Sequence, residues 1–441
     1  MNIILLSGGS GKRLWPLSND IRSKQFIKIL KKSSAAVTED DEYESMVQRI
    51  YHQIHTVDPD AKVMIATSKS QVSTIHNQLE GAEICVEPCR RDTFAAIALA
   101  AAYLHDVQGM ERSEAVAVCP VDPYVEDDYF FCVQELYRTA KEGKSNLVLM
   151  GIKPTYPSEK YGYIIPDTNG DYNFTEKPDE ETARKYIAAD ALWNGGVFAC
   201  KLSYILSKAC QMLGTDSYEI LFNSYSSLEK ISFDYAVVER EKSLSVITYN
   251  GIWKDLGTWN MLTEAMEEHS FGEVIQSDSC DGTHVLNELG IPILAMGCKN
   301  LVVCASADGI LVSDKHESSF IKPYVDAIDH RVMYAEKSWG SYRVLDVGEA
   351  SMTVKVTLNP EHKMNYHSHT HRDEVWTVIK GSGTTIVDDL ERRVKQGDVV
   401  MMNAGCRHTV IAGKTGIQLI EVQLGPEISV SDKKKHRMPQ L

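Results

Sequence analysis

Long hydrophobic runs are missing from this 441-residue chain: the longest, AAIALAAAYL at 95–104, is half the length a membrane-crossing helix needs. No partnership with a membrane is therefore expected. There is no basic n-region leading into an apolar stretch and a cleavage site, so a secretory leader is not expected and the cytoplasm is the expected compartment. No CxxC pair and no dense cysteine framework occur; the ten Cys are scattered, and are expected as reduced thiols in a chain large enough to need no staples. Basic excess is lacking too. With 46 Lys+Arg against 61 Asp+Glu, the formal net charge of −15 argues against a sequence-independent nucleic-acid binder, which needs a basic face to displace counterions. Any phosphate site must then be local. What is present is 43% apolar and 24% charged residues, the balance of a folded globular chain with two or three domains.

From residue 1 to about 265, short apolar runs alternate with helical patterns. NIILLS, AKVMIATS, AEICVEP, EAVAVCPVD and SNLVLMGI read as strands, FAAIALAAAYLHDV and YFFCVQELYRTAKEG as helices. That alternation predicts a mostly parallel sheet covered on both faces, with ligands beyond the carboxyl ends of its strands. From about 266 to 335 the texture changes to short β segments between Gly, Asn and Asp turns, a small all-β connector. From 336 onwards MTVKVTLNP, EVWTVIKG, TTIVDD, DVVMMNAG and IQLIEVQ are spaced like the strands of a small barrel. The polar, basic tail SDKKKHRMPQL is expected to fray.

The first strand runs into LLSGGSGKRLWPL. A P-loop would need Ser or Thr after Gly11-Lys12, where Arg13 stands, and a Gly where Leu6 stands. The dinucleotide fingerprint fails as well, because its third Gly is Leu14. What remains is a loop in which Gly8, Gly9 and Gly11 offer backbone N–H groups to a nucleoside triphosphate tail, with Arg13 and Lys24 offsetting its charge.

This stretch, continued to SKQF, resembles the opening signature of the mannose-1-phosphate guanylyltransferases, a branch of the sugar-phosphate nucleotidyltransferases. The resemblance continues through EPCRRDTFAAIALAA (87–101), CPVDPYV (119–125), EKYGYI (159–164), FTEKP (174–178), WNGGVF (193–198), SFDYAVVE (232–239) and WKDLGTW (253–259), eight blocks in one order. It implies that Asp122 and Asp255 hold Mg²⁺, that Lys177 meets the sugar's phosphate and Glu176 its hydroxyls, and that Gly162 and Asn194 grip the sugar ring. Arg91 and Asp92 belong to the block expected near the base. Asp92 stands where the family usually has Asn; a carboxylate can still accept hydrogen bonds from guanine.

In the C-terminal segment, His367-x-His369 is followed by Glu374 and Gly381, then by Gly397 and His408, the spacing of the two cupin motifs. Residues i and i+2 of a strand share a face, so His367 and His369 point the same way. The four ligands are expected to hold one divalent metal. Zn²⁺ suits an imidazole-rich set, and Fe, Mn or Ni would also be accommodated.

KSWGSYRVLD (337–346) ahead of a cupin resembles the type II phosphomannose isomerase domain, and Arg372 matches the Arg of its RxEHW motif. Such a domain would interconvert mannose 6-phosphate and fructose 6-phosphate. Here Val375 replaces the usual His, His367 the usual Gln, and Thr409 the usual Arg, while the longer closing motif is absent.

The expected architecture is α/β: a Rossmann-like nucleotidyltransferase domain with a mixed, mostly parallel sheet (1–265), a β connector (266–335) and a cupin β-barrel (336–441). The expected substrates are GTP, mannose 1-phosphate and, for the cupin, mannose 6-phosphate, with a homodimer as one option for assembly. Two other readings stay open. One is a transferase for another nucleotide and sugar pair with a non-isomerase cupin, the other a regulator that binds a nucleotide sugar without turning it over.

Overall fold

The computed structural model describes residues 1–9, 12–19, 21–32, 43–167, 169, 172–328 and 331–439. The chain forms two compact units, Met1–Leu14 with Ser23–His269, and Trp15–Arg22 with Ser270–Leu441.

Besides a short antiparallel pair, Leu30–Lys31 with Tyr43–Glu44, the strands of the first unit are β1 (Asn2–Leu6), β2 (Lys62–Ser68), β3 (Glu83–Glu87), β4 (Ala115–Pro120), β5 (Pro123–Val125), β6 (Leu147–Ile152), β7 (Tyr163–Pro166), β8 (Tyr172–Thr175), β9 (Leu192–Lys201), β10 (Leu244–Tyr249) and β11 (Trp253–Asp255). The main sheet runs β8-β7-β9-β4-β1-β2-β3, with β6 between β9 and β10. β1 pairs in parallel with β2 and β4, and β2 with β3, whereas β9 runs antiparallel to β4, β6 and β7. The five runs expected as strands are β1, β2, β3, β4 and β6. Continuous apolar runs suit strands covered on both faces; Ile3, Ile4 and Leu5 of β1 are at most 1% exposed.

Both expected helices form. Asp92–Asp106 (α1) is apolar on nearly every side and buried accordingly, packing Phe94, Ile97 and Leu99 into the sheet's core. Asp128–Glu142 (α2) buries Tyr129, Phe130, Val133, Leu136 and Ala140, one face of a 3.6-residue period. The short pair β5 and β11 lies just beyond the carboxyl end of β4, with Asp255 opposite Pro123.

In the second unit, β12 (Ser270–Phe271), β13 (Val274–Gln276), β14 (His284–Asn287), β15 (Ile293–Ala295) and β16 (Leu301–Ser306) stack in parallel, β12 on β14, β13 on β15 and β14 on β16. These are successive turns of a small β-solenoid, closed by the antiparallel β17 (Gly309–Asp314). Residues 15–22, in the middle of the opening signature, are built into this unit. Arg22 makes a bidentate ion pair with Glu288 at 2.8 Å for each bond. Asn19 donates to Asp308 at 2.7 Å, and Ser306 to the carbonyl of Pro16 at 2.6 Å.

The remaining strands are β18 (Tyr334–Lys337), β19 (Gly340–Val347), β20 (Ser351–Leu358), β21 (His367–His369), β22 (Asp373–Val387), β23 (Leu390–Lys395), β24 (Val399–Met402), β25 (His408–Leu424) and β26 (Lys433–Lys435). They form a curled sheet, the cupin, around Val344, Val354, Trp376, Val378 and Leu419. The C-terminal segment corrects the expectation of a frayed tail: β26 pairs antiparallel with β21, placing Lys435 opposite His367 and Lys433 opposite His369. Among the described residues no helix is long and apolar enough to cross a membrane.

Candidate active site and metal centre

The glycine loop leaves the carboxyl end of β1 with its carbonyls already engaged. The Ser7 carbonyl accepts from Gln25 at 3.1 Å, and the Gly9 carbonyl from Ser23 at 3.1 Å and Arg90 at 3.2 Å. Gln71 donates to the Ser23 hydroxyl at 2.7 Å and fixes it from below. Gly9 has φ +137°, a conformation that side chains rarely adopt. The N–H groups of Gly8 and Gly9 have no acceptor among the described residues, which leaves them free for an anion. Gly11 lies outside the described residues.

Asp122 follows the end of β4 and Asp255 ends β11, so the pairing of β5 with β11 brings the two carboxylates together. Lys24 sits between them, 2.9 Å from Asp122 and 3.5 Å from Asp255. Burial would lower the Lys24 pKa, but the two carboxylates outweigh it and hold the ammonium above its ordinary value. The Asp255 carboxyl is pushed up by burial and by Asp122, against the pull of Lys24 and of exposed Arg13. A paired carboxylate site that one lysine does not fully neutralise, open to solvent, fits a divalent cation with oxygen ligands. Both carboxylates line a cleft of about 180 Å³.

Gly162, Glu176 and Asn194 line the same cleft. At Gly162 a Cβ would stand 2.5 Å from a Glu176 carboxylate oxygen and 2.7 Å from the Phe174 ring, so a side chain there would displace both. Lys177 pairs with Glu176 and has φ +45°, an uncommon backbone for lysine. Asn194 donates to Asp234 at 2.7 Å. Burial and Glu176 push the Asp234 carboxyl up to about 6. Asp234 lies in the block SFDYAVVE, yet no role was expected for it; its signal was an acidic residue in an otherwise apolar helical turn. Tyr161 and Trp253, with ring centroids 5.2 Å apart, add an aromatic wall.

Arg91 and Asp92, expected near the base, bond to the chain itself. The Arg91 guanidinium donates to the carbonyls of Tyr225 and Ser226, while its neighbour Arg90 is the arginine that reaches the glycine loop. Asp92 opens α1 at φ +67° and accepts from the N–H of Thr93 at 2.8 Å, so its carboxylate is turned to its own helix. Two adjacent arginines cannot be told apart by local pattern, and it is Arg90 that donates to the Gly9 carbonyl.

In the cupin, β21 carries His367 and His369, β22 carries Glu374 and β25 carries His408, all at most 3% exposed. One ligand atom from each lies within 4.8 Å of every other. The Nδ1 groups donate outward, His367 to the Asn365 carbonyl at 2.6 Å, His369 to that of Asp432 at 3.0 Å and His408 to that of Cys406 at 3.0 Å. A carbonyl only accepts, so each Nδ1 carries the proton and each Nε2 turns a lone pair inward. Glu374 Oε2 and His408 Nε2 have no hydrogen-bond partner although both are buried. Converging lone pairs with orphaned atoms are what a divalent cation would satisfy.

Arg372 bonds to Glu374 and His369, each at 3.0 Å, and to the Ser429 carbonyl at 3.0 Å. Glu421, which lies in no recognised motif, is buried on β25. Burial and Glu374 push its carboxyl up to about 7.

The α/β sheet with a phosphate-ready loop and a two-carboxylate cleft, joined to a cupin, is the architecture of an enzyme that handles phosphorylated small molecules. The chain belongs to the nucleotidyl transferase family, whose model matches residues 2–270. Residues 326–436 match the model described as mannose-6-phosphate isomerase C-terminal. Among relatives, it is 27% identical to the mannose-1-phosphate guanylyltransferase of Salmonella montevideo, with 97% of each chain covered. It is 28% identical to the xanthan biosynthesis protein XanB of Xanthomonas campestris, covering 97% of this chain and 96% of that one. A crystal structure from Thermus thermophilus, described as a mannose-1-phosphate geranyltransferase, superposes with a TM-score of 0.60 at 26% identity, over 74% of this chain and 99% of the other.

Proposed function

We propose that the chain transfers a guanylyl group from GTP to mannose 1-phosphate, releasing pyrophosphate and forming GDP-mannose. The observation that carries this reading is the pair Asp122 and Asp255 bridged by Lys24 at the mouth of the cleft. The free N–H groups of Gly8 and Gly9, with Arg13, meet the triphosphate. Lys24 offsets the charge of the two anionic reactants as they approach. Glu176 and Asn194, braced by Asp234, orient the sugar hydroxyls, and Lys177 meets its phosphate. The sugar-phosphate oxygen then attacks the α-phosphorus in line, and no protein nucleophile is needed. Asp122 and Asp255 would hold Mg²⁺, which when bound supplies neutralisation of the α-phosphate and of the departing pyrophosphate. GTP and sugar phosphates are cytoplasmic metabolites, and the reading places the chain there.

For the cupin, we propose that His367, His369, Glu374 and His408 hold a divalent metal, Zn²⁺ being the best match to three imidazoles, and that the barrel interconverts mannose 6-phosphate and fructose 6-phosphate. Arg372 lies against two of the ligands and is placed to meet the substrate's charge. Val375 and Thr409, in place of the family's His and Arg, favour a second reading in which the barrel binds a sugar phosphate without isomerising it.

The test is pyrophosphate release with Mg²⁺ over a grid of four nucleoside triphosphates and several sugar 1-phosphates, with a parallel assay of fructose 6-phosphate formation. Turnover confined to GTP and mannose 1-phosphate is the expected result. Turnover with another pair moves the specificity, and silence across the grid overturns the transferase reading.

A further inference from the structure

Cys280 and Cys298 occupy matching corners of two successive solenoid turns. Between the pairs β13 with β15 and β14 with β16, Asp281 bridges Lys299 in parallel. The N–H of Asp281 donates to the Cys298 carbonyl at 2.9 Å, and that of Asn300 to the Asp281 carbonyl at 2.8 Å. The two cysteines are therefore the preceding pair in the same register. Neighbouring strands lie about 4.8 Å apart, inside the Cα spacing of roughly 4.4–6.8 Å that a disulfide spans. In-register residues of parallel neighbouring strands point their side chains to the same side, and both cysteines are half-buried, within reach of a small oxidant.

The surroundings set this pair apart from the other thiols. The Cys280 sulfur is 3.4 Å from the Ala295 carbonyl and 3.8 Å from the Ser277 hydroxyl, and Cys298 is 3.6 Å from the Met296 carbonyl. Slight burial works against its thiolate, but donors from Cys298 and Ser277 outweigh it and hold the Cys280 thiol below its ordinary value. By contrast, burial pushes Cys85, Cys119 and Cys132 up to about 12.

We propose that Cys280 and Cys298 form a peroxide-sensitive dithiol that closes to a disulfide between adjacent turns of the solenoid. The Cys280 thiolate attacks the O–O bond of a hydroperoxide, forming a sulfenic acid and releasing water or an alcohol. The Cys298 thiolate then attacks that sulfur, forming the S–S bond and expelling hydroxide, which leaves as water after taking the remaining thiol proton. The net change is two thiols oxidised and one peroxide reduced. This inference is independent of what either catalytic site turns over.

The experiment exposes the full-length reduced chain to hydrogen peroxide, alkylates the remaining thiols and maps the peptides. Expected are a Cys280–Cys298 cross-linked peptide, an intact mass lower by two hydrogens, and reversal by dithiothreitol. Cys280 should react faster than exposed Cys210 in the same sample. In Cys298→Ser the reaction should stop at a sulfenic acid on Cys280 that dimedone traps. Cys280 and Cys298 remaining alkylatable while other thiols oxidise would overturn the proposal, as would an unchanged loss of two hydrogens in Cys298→Ser.

Discussion

At the scale of single residues, the proposed transfer depends most on Asp255, a half-exposed carboxylate whose charge is opposed by Asp122 and only partly answered by Lys24. Asp255→Ala should lower pyrophosphate release on the order of 10³-fold, the scale of losing one preorganised electrostatic group. Metal binding at the cupin should be unaffected. Since Asp255 takes up its proton at a higher pH than an ordinary aspartate, acidification should weaken Mg²⁺ activation sooner than for a solvated pair; titrations of activity against Mg²⁺ at several pH values would show it. His367 supplies an opposite case. Burial first, then Lys433 and His408, push its imidazole down to about 2. The unfolded chain, with an ordinary histidine pKa near 6.5, binds the extra proton between those values. Stability of the metal-free protein should thus be full above roughly pH 6.5 and fall on acidification by at most about 1.4 kcal/mol per pH unit from this group. His367→Gln, which does not titrate, should flatten the slope in urea melts.

At the scale of elements, the turn Ser429–Asp432 that leads into β26 carries more of the cupin site than the strand's exposed lysines suggest. The carbonyl of Asp432 holds the His369 ring, its carboxylate accepts from the N–H of Thr370 at 2.9 Å and of His371 at 3.1 Å, and the Ser429 carbonyl holds Arg372. Removing residues 429–441 should cost about 10- to 100-fold in cupin metal affinity, the usual penalty for losing groups that orient a ligand. Equilibrium metal titration would measure it, and an unchanged affinity would show that His369 is oriented without this segment. The segment 15–22 depends on another side-chain lock. Glu288→Ala leaves the Arg22 guanidinium without its bidentate partner in a nearly buried setting, and should destabilise the C-terminal unit by about 2–4 kcal/mol in denaturant melts.

At the scale of the whole molecule, the chain divides between His269 and Ser270, close to where its sequence texture changes, but one earlier segment crosses that division. Eight residues of the opening signature, Trp15–Arg22, belong to the unit that otherwise starts at Ser270. A fragment of residues 1–269 lacks Glu288, Ser306 and Asp308, the partners of that segment. It should be less soluble than the full chain and should lose transfer activity even though every proposed transferase residue is retained. Gel filtration and pyrophosphate release on the fragment would test this directly.

The chain's own residues were enough to mark the alternation of strands and helices, the glycine loop, the carboxylates after β4 and in WKDLGTW, and the three histidines and the glutamate that the cupin brings together. All of these are local: burial on both faces requires continuous apolar runs, and a strand's two-residue period aims His367 and His369 together. Only the folded chain decided that Arg90 and not Arg91 reaches the loop, that Asp234 braces Asn194, that the basic tail is a strand on β21, and that residues 15–22 join the solenoid. Each of these depends on which distant backbone or side chain lies opposite. That choice is made by pairing and packing across the sequence, where local pattern carries no signal.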